Sequence, residues 1–380
     1  MFRILHFGDS HLASDSSGQT YGHFFRAQYG DGGPGLGLPW VTRMTGATAH
    51  ATPGWHRSRK AEGDGRMGLN GGFLETWQTG EVAALEAAFS RFRLYLLKDP
   101  AGGKVEIRVD GRLQNTADLR DGPAGLTVLS PSLPPRAGLR QLEIRTTSPG
   151  RVRVLGVALE TGPGAVYSPL AFNGARASWM RSMGDDLFRG QVEAEAPDLI
   201  MLAFGTNEAN DRDFNPEAYR KDLQALLARL RMAAPRAALV LVGPPDGRLR
   251  PGTATSLARV IEVQSAEASA AGARFIDQQK AMGGTGAMSI WSHQGWANPD
   301  GVHLTPTGYR NLAQLVIGKL AFPAATPAGL TLKDGRPAAP VPANQAIHTF
   351  RNAEGVVFIT DDPAKVDDHA GKWLEVFHDP

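Results

Sequence analysis

The chain has 380 residues, 42% of them hydrophobic and 21% charged, which suits two soluble domains or one large domain carrying an insertion. Its formal net charge is +2 and its basic residues are dispersed, so no nucleic-acid partner or other strongly charged partner is implied. Cysteine is absent, which excludes disulfides, thiolate metal sites and a cysteine nucleophile.

Phe2 to Phe7 reads as a short buried strand closed by the turn Gly8-Asp9, with a helix expected around Gly22 to Tyr29. No apolar run is long enough to be a transmembrane segment, and the strand follows Met1 too closely for a signal-peptide pattern. The glycine-dense stretch Tyr29 to Trp40 reads as a backbone-shaped loop. From about Thr45 the segments RFRLYLL, KVEIRVDG, RQLEIRTT and RVRVLGVALE alternate or run in β-branched residues between Gly, Pro and Asp turns, the pattern of an all-β unit ending near Thr161.

Beyond it, strands at Asp198 to Phe204, Ala238 to Val242 and Ala273 to Ile276 alternate with helices at Pro216 to Met232, Ser256 to Ala271 and Thr305 to Leu320. Leu223, Leu226, Leu227 and Leu230 fall on one face of the first of these helices. The expected fold class is α/β: a parallel sheet wrapped by helices, residues 1–44 and 162–323, interrupted by an inserted β-sandwich, residues 45–161. A Pro/Ala-rich linker (324–344) and a short tail (345–380) follow, the tail with a hairpin turning at Ala353 to Gly355.

The chemistry-bearing residues lie at the strand ends. In GDSHLASD, Ser10 stands at the carboxyl edge of the first strand, either as an exposed nucleophile beside free helix N–H groups or as a simple helix cap. Adjacent side chains do not face one another on a strand or a helix, so Asp9, Ser10 and His11 do not make a relay among themselves. A base must come from elsewhere. In NPDGVHLTPTGY, Asp300 and His303 are three positions apart, just before a helix capped by Thr305 with Pro306 in its first turn. That spacing lets the carboxylate reach Nδ1 of the imidazole and leaves Nε2 for a serine, the alternative being a surface pair. His293 has no carboxylate at such a spacing. Asn207, in GTNE, can donate an amide hydrogen bond to an oxyanion or serve as a turn residue. Gly174, in AFNGARAS, admits a backbone N–H close to a substrate oxygen or is an ordinary loop glycine. Trp55, Trp77 and Tyr95 in the β-rich segment are ring-stacking or core residues, and the loop residues Trp40, Trp291 and Trp296, near the motif blocks, are placed to wall a cleft. No His and carboxylate spacing points to a metal, and no cofactor is expected.

Gly8-Asp9-Ser10, Gly174, Gly205-Thr206-Asn207-Glu208 and Asp300-Gly301-Val302-His303 together resemble the four blocks of the SGNH (GDSL-like) hydrolases. The resemblance implies a flavodoxin-like α/β fold and a serine esterase. It makes Ser10 the nucleophile, His303 the base and Asp300 its orienter, with an oxyanion hole of the Ser10 and Gly174 N–H groups and the Asn207 side chain. The histidine of GDSH, the glycine-rich YGDGGPG and the β insertion resemble the bacterial peptidoglycan O-acetylesterases, which remove O-acetyl groups from N-acetylmuramic acid. This implies a periplasmic or envelope location, a carbohydrate-binding-module-like insert, and substrate contacts by His11, Trp291 and Trp296. An acetylesterase for another polysaccharide and a non-catalytic glycan-binding protein stand as alternatives.

Overall fold

A computed structural model describes residues 1–42, 44–58, 65–134, 136, 138–248 and 254–320, and the strands His348–Arg351, Val357–Thr360 and Leu374–Phe377. The chain forms two compact units, Met1–Leu315 and Val316–Pro380.

The first unit is built on a parallel sheet whose strands lie in the order Ala165–Ala171, Phe2–Gly8, Leu199–Ala203, Ala238–Val242, Arg274–Ile276. Numbered along the chain this is the order 2-1-3-4-5 of flavodoxin-like sheets. The helix Asp15–Tyr29 packs on Ala165–Ala171, and Ala254–Ala270 packs on Ala238–Val242 and Arg274–Ile276. Pro216–Ala233 starts where the Asn215 side chain accepts from the Glu217 and Ala218 N–H groups, with proline in the first turn, and it buries Leu223, Leu226, Leu227 and Leu230. The first helix starts at Asp15, earlier than Gly22, because its glycines face the neighbouring strand: Gly18 lies against Pro169 and Gly22 against Tyr167.

Two antiparallel sheets interrupt this domain between the first and second parallel strands. One carries the strands Gly125–Leu129, Arg91–Lys98, Val152–Glu160, Phe73–Thr76 and His56–Ser58 in that order, and the other carries Ala47–Ala51, Val82–Ala88, Leu139–Thr146, Lys104–Val109 and Arg112–Asp118. Val152–Glu160 is buried at every position. Side chains alternate across a strand, and a bulge between Val154 and Gly156 resets the alternation: Val154, Val157 and Leu159 enter the core between the two antiparallel sheets, while Leu155 and Ala158 join the core that the parallel sheet uses. Leu94 and Leu96 against Tyr95 and Leu97 repeat the division on Arg91–Lys98. This two-sided burial explains why these strands are apolar at consecutive positions.

The β unit reaches further upstream than its turn pattern indicates. Gly35–Gly37, inside the glycine-dense stretch, pairs with Val157–Leu159, and Leu38, Trp40, Val41 and Met44 lie in the sandwich core. Trp40 is therefore a core residue whose Nε1 donates to the Ala84 carbonyl, not a cleft wall. Trp55 and Tyr95 are also buried, whereas Trp77 is exposed beneath the guanidinium of Arg151.

In the second unit, His348–Arg351 pairs antiparallel with Val357–Thr360 and also with Leu374–Phe377. The turn between the first two strands and the Pro/Ala-rich stretch lie outside the described residues.

A buried charge cluster ties the insertion to the parallel-sheet domain. Arg93, on the sandwich, donates to Glu195 at 3.0 Å and to Glu160 at 3.0 Å, and Tyr95 also donates to Glu195, which is 1% exposed. Removing one member leaves an unpaired buried charge, so Arg93→Met is expected to cost about 3–5 kcal/mol of stability. Arg93→Met/Glu195→Gln should recover most of that loss, and urea unfolding of the two variants measures both effects.

Candidate active site

The order of the parallel strands reverses beside Phe2–Gly8: its crossover leads to Ala165–Ala171 on one side, and the chain then passes to Leu199–Ala203 on the other. Loops leaving the carboxyl ends of strands at such a switch point diverge and leave a crevice. Ser10 follows the first strand, Gly174 the second and Asn207 the third.

Asp9, not Ser10, caps the helix Ser10–Ala13, its carboxylate accepting from the His11 N–H at 3.0 Å. The serine side chain is thus released from capping. Gly8 is required by close approach, because a Cβ there would stand 2.8 Å from Leu12 Cβ and 3.1 Å from the Ala203 carbonyl.

Ser10 Oγ lies 3.0 Å from Nε2 of His303, and Nδ1 of His303 lies 2.7 Å from Oδ2 of Asp300. The other oxygen of Asp300 accepts the N–H groups of Val302 and His303, each at 2.9 Å. The loop is folded around its own carboxylate. Partial burial opposes ionisation of Asp300, but those N–H groups and the His303 ring outweigh it and hold the carboxyl below its ordinary value. An anionic Asp300 keeps the imidazole proton on Nδ1 and Nε2 free to accept from the serine. His293 takes no part. It is exposed, with Nδ1 on the Ser289 carbonyl.

Gly174 has φ +81°, a conformation that disfavours other residues, and nothing lies within 4 Å of the place a Cβ would occupy. Asn207 Nδ2 donates to the Ala175 carbonyl at 2.9 Å. An amide carries two N–H donors, so this bond fixes the orientation of the group and leaves one donor over.

His11 and Trp291, expected at the substrate, are buried instead, 7% and 5% exposed. The His11 ring packs on His303 with centroids 5.6 Å apart and on Tyr309 at 5.8 Å. Burial first, and the neighbouring His303 second, push His11 down to about 3, so it stays neutral beneath the base. Trp291 lies in an apolar cluster with Met288, Leu304, Tyr309 and Leu312 and meets Trp296 edge to face. Trp296 is half-buried and retains an accessible edge.

A cavity of about 20 Å³ lies under the nucleophile turn, lined by His6, Asp9, His11, Thr206 and Gln278 among others. That is room for about one water molecule. Among the described residues, no group of His, Asp or Glu is arranged to hold a metal ion.

Two buried carboxyls support the site from inside its motifs: Asp9, read from the sequence only as part of a turn, and Glu208, given no role there. Burial pushes Asp9 up to about 7, with Glu208 adding to the effect and the His11 N–H opposing it. Burial likewise pushes Glu208 up to about 7 against the Ala177 N–H bonded to it. Each keeps its proton in the folded protein at pH values where the unfolded chain has lost it. The stability this contributes is therefore present at low pH and is lost as pH rises through the folded value. Relative to wild type, Glu208→Gln is expected to gain stability as pH rises from 4.5 to about 7, with no such trend below. Urea midpoints across that range test the sign.

A family model described as the GDSL-like Lipase/Acylhydrolase family matches residues 142–310. No curated protein matches the chain in sequence. Among solved structures, one described as a peptidoglycan O-acetylesterase in action superposes with a TM-score of 0.71 at 25% identity, covering 84% of this chain and 90% of that chain. A family two carbohydrate esterase from Cellvibrio japonicus superposes with a TM-score of only 0.30 at 13% identity, covering 72% of this chain and 97% of that chain. With its 2-1-3-4-5 sheet and inserted sandwich, the chain is similar in fold and in the matched residues to the SGNH (GDSL-like) hydrolases, and it is a carboxylic ester hydrolase.

Proposed function

We propose that the protein is a serine esterase that removes O-acetyl groups from peptidoglycan. The observation that carries the reading is the hydrogen-bond chain from Ser10 through His303 to Asp300, with links of 3.0 and 2.7 Å. The likeness to the peptidoglycan O-acetylesterase structure over most of both chains supports the choice of substrate.

On this reading Ser10 Oγ attacks the acetyl carbonyl carbon while His303 Nε2 takes the hydroxyl proton. The carbonyl oxygen becomes an oxyanion that accepts from the Ser10 N–H, the Gly174 N–H and the remaining Asn207 Nδ2–H. Collapse breaks the bond to the sugar oxygen, which leaves with the proton from His303. Water then gives a proton to His303 and attacks the acetyl-serine, and acetate departs as the proton returns to Ser10. Asp300 holds the ring and offsets its positive charge in both halves.

A cleft of about 330 Å³, which none of these five residues lines, is bounded by Leu12, Asp15 and Asn173, close in the chain to Ser10 and Gly174, and by Leu36, Met44 and Asn70 from the inserted segment. A mixed polar and apolar cleft of that size suits a sugar unit. This supports a glycan substrate and gives the insertion a part in holding it, with Trp296 the remaining candidate among the tryptophans near the base. The enzyme would then act where peptidoglycan lies, in the cell envelope. Among the described residues no helix is long and apolar enough to cross a membrane.

Ser10→Ala is expected to abolish acetate release from O-acetylated cell walls without altering the unfolding midpoint, and wild-type turnover in that variant would overturn the mechanism. Asn207→Ala should lower kcat on the order of a hundredfold or more. Acetate release from O-acetylated peptidoglycan should exceed that from acetylated xylan, and the reverse order would assign the enzyme to another polysaccharide.

A further inference from the structure

The segment 207–211 grips the segment 175–177 through successive side chains. Asn207 Nδ2 donates to the Ala175 carbonyl at 2.9 Å, and the Ala177 N–H donates to Glu208 Oε1 at 2.8 Å. Between them, the Arg176 guanidinium takes both carboxylate oxygens of Asp211, with Nη2 at 2.7 Å from Oδ1. Gly174 stands immediately upstream, in a turn closed by the Ala175 N–H on the Phe172 carbonyl at 3.2 Å, with nothing packed where a Cβ would lie. The grip on the next three residues anchors that turn from its downstream side.

Glu208 is 6% exposed, and its Oε2 has no hydrogen-bond partner among the described residues. A carboxyl buried with one oxygen unpartnered is costly and calls for an explanation. Within its own single-turn helix, Thr206–Ala209, the carboxyl also faces the N–H groups of Gly205 and Glu208. Its hydrogen bond outside that turn is to the Ala177 N–H, on the loop that carries Gly174.

We propose that Glu208, assisted by the Arg176–Asp211 pair, is a positioning residue that holds the 174–177 loop so that the Gly174 N–H and the free Asn207 N–H converge on one substrate oxygen. The proposal rests on the esterase reading above. The Ala175 carbonyl orients the Asn207 amide and Glu208 anchors the loop bearing that carbonyl, so the two donors share one mount. Loss of the mount affects the charged tetrahedral state more than the neutral ester, and so affects kcat more than KM.

The test uses the full chain and a soluble ester, 4-nitrophenyl acetate, with reactive serine titrated to its end point by a phosphonate. Ser10→Ala is run first, and turnover persisting in it would sink the esterase reading itself. With turnover dependent on Ser10, Glu208→Ala is expected to lower kcat per titrated serine about tenfold to a hundredfold, with KM changed by less than about twofold. Glu208→Gln keeps an acceptor for the Ala177 N–H and should recover most of the loss. Unchanged kcat per titrated serine in Glu208→Ala, or equal losses in the alanine and glutamine variants, overturns the proposal. If Glu208→Ala does not fold, the more exposed pair decides: Arg176→Asp and Asp211→Arg should each lower kcat per serine, and their combination should restore it. No loss in either single variant overturns the proposal equally.

Discussion

One carboxylate organises the downstream half of the site. Asp300 accepts from two backbone N–H groups and from the ring of His303, so the same side chain shapes its loop and aims the imidazole. The serine that His303 meets is 293 residues from it in the chain. Joining the two requires a fold that ends distant segments at one edge, which a parallel sheet with a strand-order reversal provides. The turn that presents Ser10 is equally constrained from within: Asp9 takes over the capping duty, and Gly8 lets the following helix sit against the neighbouring strand end.

The inserted sandwich is more than a pendant module. Its strands Arg91–Lys98 and Val152–Glu160 have no solvent face, because one side fills the sandwich and the other completes the core of the parallel-sheet domain. Buried apolar contact is non-directional, whereas the bonds among Arg93, Tyr95, Glu160 and Glu195 have defined geometry. Together they give the cleft beside Ser10 two walls from different segments of the chain.

What can be read from the residues divides according to whether the cause is local. The later strands and helices of the α/β pattern are legible within a few residues at each end, because apolar periodicity follows from one buried face, whereas the first helix starts seven residues before Gly22 and the strand Ala165–Ala171 and helix Asp185–Glu195 are not read at all. The contact of Asp300 with His303 is legible for the same reason, being a matter of one turn of chain. Burial set by distant packing is not. Trp40 and Trp291 look like cleft walls in sequence but are core residues, and His11 looks like a substrate contact but lies beneath the base. Gly35–Gly37 is too short and too rich in glycine to signal a strand, and its pairing with Val157–Leu159 depends on residues far along the chain. Glu208 sits in a recognisable motif, yet its bond to the Ala177 N–H follows from a loop that only the folded sheet brings near.

The placement of the insertion also sets an order of assembly. The strand that leads to Ser10 is made before the sandwich, yet its two sheet neighbours, Ala165–Ala171 and Leu199–Ala203, are made after it. Both sheets of the sandwich lie between Gly35 and Glu160, so on a growing chain they are complete before that first strand has an edge to join. Domains form largely as units during synthesis, and pairing between remote segments is slow because the intervening chain must first be ordered. The sandwich then serves the nascent polypeptide as a scaffold, and its second apolar face is the surface on which the parallel sheet can condense. The contact between Ser10 and His303 can close only after nearly the whole of the first unit has emerged.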